Sequence, residues 1–271
     1  MEQHVSWLTH LVNHYLGRYA LALLSMLHVA PRHAEAPIPE HVVMSLVALL
    51  LGTMLALFLR SRLSVDRPGG AQQVAEMLLT NPLSFGIRDL LDENVEHGGR
   101  RFIAFTGTIS IFVLLANLLG VVPLFSSPTG EKSVPLGCAA LTFVYFNWQG
   151  IRHHGLLGYL KHFAGPVWWL SELIFPVEII STTARVLSLT VRLWANIFAS
   201  DLIYTLFLGL LVQPVLWAQT KSVPLAVLLG IFPAVIPLAF IALHIFVSVI
   251  QAYVFTILPS VYLGIATSEQ H

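Results

Sequence analysis

Charge is what this chain has least of. Aspartate, glutamate, lysine and arginine make up 10% of its 271 residues, against 56% hydrophobic residues. Soluble domains carry about a quarter charged residues, so the deficit excludes that class and points to an integral membrane protein. Acids and bases balance to a net charge of zero, which argues for neither acidic nor basic partners; no nucleic-acid partner is expected. The single cysteine, Cys138, excludes an intrachain disulfide and any zinc site built on spaced cysteines. It lies in an apolar run and reads as a small buried hydrophobe. No metal or other cofactor is expected. There is no basic start of the kind a secretory signal needs, since Glu2 and His4 stand there instead. A His-Glu-x-x-His motif is absent, which leaves an intramembrane enzyme little support. No internal repeat is visible, which weakens a transporter made of two related halves.

What is present is a series of long apolar runs. Residues 1–40 form a mixed segment in which Val5, Leu8, Leu11, Val12, Tyr15, Leu16 and Tyr19 recur at helical spacing. That pattern predicts an interfacial amphipathic helix. Leu21 to Val29 is apolar but too short to span, and Pro31, Pro37 and Pro39 break the chain before the first span. Residues 41–271 form the membrane domain. His41 to Leu59 is the first span, closed by Arg60 and Arg62. Ser64 to Arg101 mixes apolar patches with charges and reads as a helix on the membrane surface. Phe102 to Phe125, ending at Pro123, is the second span, and Val134 to Ile151 the third. Gly155 to Gly165 is a short connector.

Two stretches then exceed ordinary spans. Pro166 to Val212 and Val223 to Ala266 are each more than twice the ~20 residues that cross a ~30 Å hydrocarbon core. Each is either a tight re-entrant pair or one long, steeply tilted helix. The tilted pair, joined at Gln213 to Ser222, is preferred. Pro176, Pro233, Pro237 and Pro259 are expected to bend or break these helices locally. The expected fold is therefore all-α, with about five membrane helices plus a surface helix. Arginines at 60, 62, 67, 88, 100 and 101, with Arg152 and Lys161 after the third span, put those loops in the cytoplasm by the positive-inside rule. Five crossings leave the N-terminus outside and the C-terminus inside.

The polar residues inside the long stretches carry the chemistry. Glu172, Glu178, Arg185, Arg192 and Asp201 lie in the first of them. Glu178, Arg185 and Arg192 repeat every seven residues, and seven steps of ~100° return to within ~20°, so they share one stripe. Ser188 and Asn196, four residues either side of Arg192, extend it. Asp201, nine residues beyond Arg192, falls on the opposite face, ~13.5 Å along the axis. In the last stretch His244 and Gln251 again share a face. A charge at lipid depth costs ~3 kcal/mol on insertion scales, so it normally faces protein or water. A guanidinium also keeps its proton, making it a poor proton carrier and a good electrostatic barrier. Arg185 and Glu178 form a structural ion pair only if side chains reach across two turns, which is harder than across one. No charged residue lies three or four positions from Arg192. Its carboxylate partner comes either from Asp201, Glu178 or Glu172, or from another protein, and the latter is favoured. Buried Asn, Gln and His also serve simply to join helices. Residue chemistry alone thus supports a proton-handling membrane protein, with a self-contained transporter or a membrane scaffold as rivals.

Val186-Leu-Ser-Leu-Thr-Val-Arg192-Leu-Trp-Ala-Asn196-Ile-Phe-Ala-Ser-Asp201 resembles the signature of subunit a of the rotary (F-type) ATP synthase membrane sector. The resemblance continues in Leu243-His244 through Gln251 to Tyr262, in Ala116-Asn117-Leu-Leu-Gly120 with Ser127-Pro128-Thr129, in Gly158-Tyr-Leu-Lys161, and in Glu172 to Glu178. It covers about residue 40 to the end. Departures are Trp194-Ala195 for an aromatic and glycine, Ser200 for a common glycine, and Val186 for a frequent proline. The resemblance implies a non-catalytic stator subunit of a bacterial inner membrane, with a hairpin of two long tilted helices curved around a ring of c subunits. Peripheral-stalk b subunits and the lipid bilayer are the other implied partners. It implies two offset half-channels: Asp201, His244, Asn117 and Gln251 on the outer side, and Glu178, Ser188 and Asn196 on the inner side. Arg192 separates them, and Arg185 and Glu172 support it.

Overall fold

The computed structural model describes residues 6–26, 28, 36–65, 67–80, 85–95, 98–122, 125–164, 171–220 and 223–267. Val5, Pro31, Pro123, residues 166–170 and the side chain of Lys161 lie outside this description. The described residues form only helices and turns. They are α1 (Trp7–Met26), α2 (Glu40–Ser61), α3 (Gly70–Leu79), α4 (Ile87–Asn94), α5 (Ile103–Leu119), α6 (Ser133–Ala164), α7 (Ser171–Gln219) and α8 (Val223–Thr267). A 3-10 turn, Gly99–Phe102, leads into α5, and another, Pro128–Gly130, sits in the loop before α6.

Four segments are long and apolar enough to cross a bilayer: Glu40–Ser61, Gly99–Leu119, Ser171–Leu206 and Leu238–Thr267. The third expected span, Val134 to Ile151, is not among them, although it lies within the 32-residue α6. Asn147, Trp148 and Gln149 dilute its apolar run, so composition rather than length sets it apart. The two long stretches are single helices of 49 and 45 residues. No re-entrant break divides them, and the backbone stays helical through Pro176, Pro214, Pro233, Pro237 and Pro259. Breaks at these prolines do not occur; the expected break falls instead at a glycine in α6. Gly155 has φ 72° and ψ 164°, a conformation open essentially to glycine alone. Helix resumes beyond it and turns back, so that the Tyr159 hydroxyl donates to Asn147 Oδ1 at 2.9 Å.

The expected surface helix is two short helices. Only α4 buries its apolar side, through Ile87, Leu90 and Leu91 at i, i+3, i+4 spacing. It docks beneath the end of α8, where a Cβ on Gly264 would collide with the Asn94 carbonyl. Val74, Met77 and Leu78 of α3 remain exposed. At the other end of the chain, α1 is one continuous helix through Met26. Asn13 ties it to the start of α2: Ile38 N–H donates to Asn13 Oδ1 at 2.9 Å, and Asn13 Nδ2 donates to the Ile38 carbonyl at 3.0 Å.

The core is where α5, α6, α7 and α8 meet. Ile109 and Val113, Cys138 and Ala139, Leu189 and Leu193, and Phe255 pack together there, one contribution from each helix. Cys138 is a free, buried thiol. A second cluster under α4 joins Leu91, Phe102, Phe146 and Leu263. Helix α2 adds itself through Ala48 against Ala116 and Leu119 of α5. Helices α5 and α8 run antiparallel, as their cross-links show: Ser110 Oγ donates to the Ala252 carbonyl, while His244 bonds the Asn117 carbonyl.

Candidate functional site

Helix α7 turns three different faces to its surroundings. Leu189, Leu193 and Ile197 repeat every four residues and are buried. Asp201 continues that series, which brings its carboxylate beside the loop: a Cβ on Gly130 would lie 3.8 Å from Asp201 Oδ2. Arg192 precedes Leu193 and is therefore turned ~100° away from the packed seam. It is exposed, in a strip with Leu187, Val191 and Phe198, which are also exposed. Ser188 is exposed and Asn196 half-buried on the same side. Among the described residues, no carboxylate pairs with Arg192.

Arg185 differs. Its guanidinium Nη2 lies 3.6 Å from Glu178 Oε1, so the two-turn reach is made after all. Two extended side chains leaning toward each other span what backbone spacing makes awkward. Arg185 also lies over the Tyr262 ring, 5.1 Å from its centroid. Glu178, Thr182, Arg185, Tyr159 and Tyr262 line a small pocket here. Glu172 is exposed in the first turn of α7, where a negative charge suits the helix dipole.

The other polar residues converge away from Arg192, where α5, α7, α8 and the 125–132 loop meet. His244, buried at 7% exposure, reaches both neighbouring helices. Its Nε2 is 3.1 Å from the Asn117 carbonyl and its Nδ1 is 3.0 Å from Ser200 Oγ. A carbonyl only accepts, so Nε2 carries a proton; in the neutral ring Nδ1 then accepts from the Ser200 hydroxyl. Thr129 donates to Asn117 Oδ1 at 2.5 Å, and the Ser127 hydroxyl donates to the Ala116 carbonyl at 3.1 Å. The loop is thereby bonded onto the same turn of α5 that receives His244. Asn117 Nδ2 is buried without a hydrogen-bond partner, as is Gln251 Oε1. Two buried, unsatisfied amide groups beside a histidine are costly in a purely structural seam and natural in one that takes up water.

Of the residues singled out from sequence, Asn117, His244 and Asp201 are gathered around the loop, and Gln251 lies two turns along α8 from His244. Glu178 and Arg185 form a separate pair. Arg192, Ser188 and Asn196 stand on an outward face between these groups. Ser200, Thr129 and Gly130 are the residues that sequence reasoning did not single out as site members. The only available signal for Ser200 was its departure from glycine. Trp194, another departure, is stacked on Phe198 at 5.2 Å and lies under Lys132, whose Nζ is 4.8 Å from the ring centroid.

Residues 41–264 match the family model described as ATP synthase A chain. The chain is 40% identical over 268 residues to ATP synthase subunit a of Koribacter versatilis, covering 99% of each. It is 37% identical over 260 residues to the same subunit of Solibacter usitatus, covering 96% of this chain and 99% of that one. Helicobacter hepaticus supplies a relative of the same name, 36% identical over 228 residues, covering 83% and 89%.

Proposed function

The chain belongs to the ATP synthase A chain family, and from that we propose that it is the stator subunit a, which passes protons to and from a rotor ring. It catalyses no reaction of its own. Its partners are a ring of c subunits, peripheral-stalk b subunits and the bilayer of a bacterial inner membrane. Residues 1–40 lie at the interface and 41–271 form the membrane domain. Helix α6 supplies a fifth crossing, which leaves the N-terminus outside and the C-terminus in the cytoplasm. Helices α7 and α8 form the tilted hairpin against the ring.

A proton reaches the ring from outside past Asp201, Asn117, His244 and Gln251, and neutralises a ring carboxylate. The neutral carboxyl can turn into lipid, where an ionised one would be strongly disfavoured. After nearly a full rotation it meets an inner passage lined by Glu178, Ser188 and Asn196 and gives up its proton. The resulting carboxylate passes Arg192, which favours the ionised form and repels hydrated protons, so the two passages do not short-circuit. The attraction at 4 Å and an effective dielectric near 20 is about 4 kcal/mol. Each proton crossing supplies about 2.3 kcal/mol per 100 mV. A dry bidentate pair would stall the rotor, so the contact is softened by water.

The observation that carries this reading is an arginine displayed on an apolar face with no carboxylate of its own chain. An intramembrane cation of that kind needs an acid from elsewhere. A map of the assembled complex tests it: Arg192 is expected opposite a ring carboxylate. Arg192 directed at lipid headgroups, or locked onto Asp201, would overturn it.

A further inference from the structure

We propose that Ser200 is a positioning residue for proton transfer, and that its hydroxyl makes Nδ1, not Nε2, the proton-exchanging nitrogen of His244. This rests on the placing of His244 in the proton pathway. The two nitrogens of the ring have unequal partners. Nε2 faces the Asn117 carbonyl at 3.1 Å, which accepts and never donates, so the proton there is held in both charge states. Nδ1 faces the Ser200 hydroxyl at 3.0 Å, and a hydroxyl does either. It donates to the bare Nδ1 of the neutral ring, and it accepts from the Nδ1–H of the imidazolium by rotating about its C–O bond.

Transfer then follows without net change at Ser200. A proton arriving on Oγ forms one O–H bond; the original hydroxyl proton leaves, and an N–H bond forms at Nδ1. The ring becomes cationic and the hydroxyl is restored. Ser200 is half-buried and precedes Asp201, whose carboxylate interacts electrostatically with His244. The other titratable groups on the elements around the ring are Tyr204 of α7, Glu131 and Lys132 of the loop, and Glu40 of α2, which accepts from Ser126 at 2.9 Å. Helix α5 carries no charged residue, and α8 no Asp, Glu, Lys or Arg. A glycine at 200, the common residue of the resembled family, would leave Nδ1 without this partner.

The test is ATP-driven proton pumping by the whole complex in proteoliposomes, per assembled complex, across roughly pH 6 to 8.5, the range in which histidine changes charge. S200A and S200G are expected to lower the rate about tenfold, the scale of one lost hydrogen bond to a charged group. They are also expected to flatten the pH dependence near neutrality, which a loss of packing alone would not do. S200T, which keeps the hydroxyl, is expected to retain both rate and profile. Profiles of S200A and S200G that superimpose on the parent overturn the assignment, as does S200T behaving like S200A. H244A separates the two layers: if it pumps normally, His244 itself is outside the pathway; if it is impaired while S200A is normal, only the role of Ser200 fails.

Discussion

Arg185 and Arg192 are the same residue on the same helix, two turns apart, in opposite circumstances. Arg185 has a carboxylate at 3.6 Å and an aromatic ring beneath it. Arg192 has neither among the described residues and sits on an exposed apolar strip. Spacing along the helix does not distinguish them; their neighbours do. Glu178 lies on α7 itself and Tyr262 on α8, and both lean toward Arg185. Around Arg192 the same two helices offer only aliphatic and small side chains. One cation is therefore committed within the chain. The other remains available to an acid that the chain does not contain.

The sharpest way to break this contrast is Arg192→Ala. ATP-driven pumping by the reconstituted complex is expected to fall at least about a hundredfold, the scale of removing one preorganised charge, while passive proton leak persists. Normal pumping would remove Arg192 from its role. Arg192→Lys comes next and is expected to lose at least about tenfold, because lysine can shed its proton and lacks the planar fork; full activity would mean that charge alone suffices. Asp201→Asn is expected to slow proton uptake by roughly tenfold, below the range usual for a general acid or base because water can substitute in part. Unchanged flux in that variant would take Asp201 out of the pathway. The smallest effect belongs to the committed pair. Glu178→Gln is expected to cost about 1 kcal/mol of stability, as for a partly exposed ion pair, read as a lower melting temperature of the complex. It should slow the inner passage without abolishing coupling. If Glu178→Gln instead matched Arg192→Ala, the two arginines would not differ in kind.

Much of the fold was legible beforehand because membrane helices announce themselves by apolar length. The first span and both long helices begin and end close to where composition changes. Single-helix continuity through the prolines was less legible, since one missing hydrogen bond is tolerated in a helix whose neighbours hold it. The break at Gly155 was hidden because glycine permits such a conformation without requiring it. The division of the surface segment into α3 and α4 turned on burial, which periodicity does not report: Ile87, Leu90 and Leu91 found a partner in α8, and Val74 and Met77 found none.

The chain alone determined that this is a membrane protein, that a permanent cation stands within an apolar helix, and that seven-residue repeats place Glu178, Arg185 and Arg192 on one stripe. These follow from composition and helical geometry, which need no neighbours. Tertiary structure decided which arginine is satisfied, that His244 spans Ser200 and Asn117, and that the 125–132 loop lies against Asp201. Those relations join residues up to 127 positions apart, and such contacts depend on how helices pack, which no local pattern encodes.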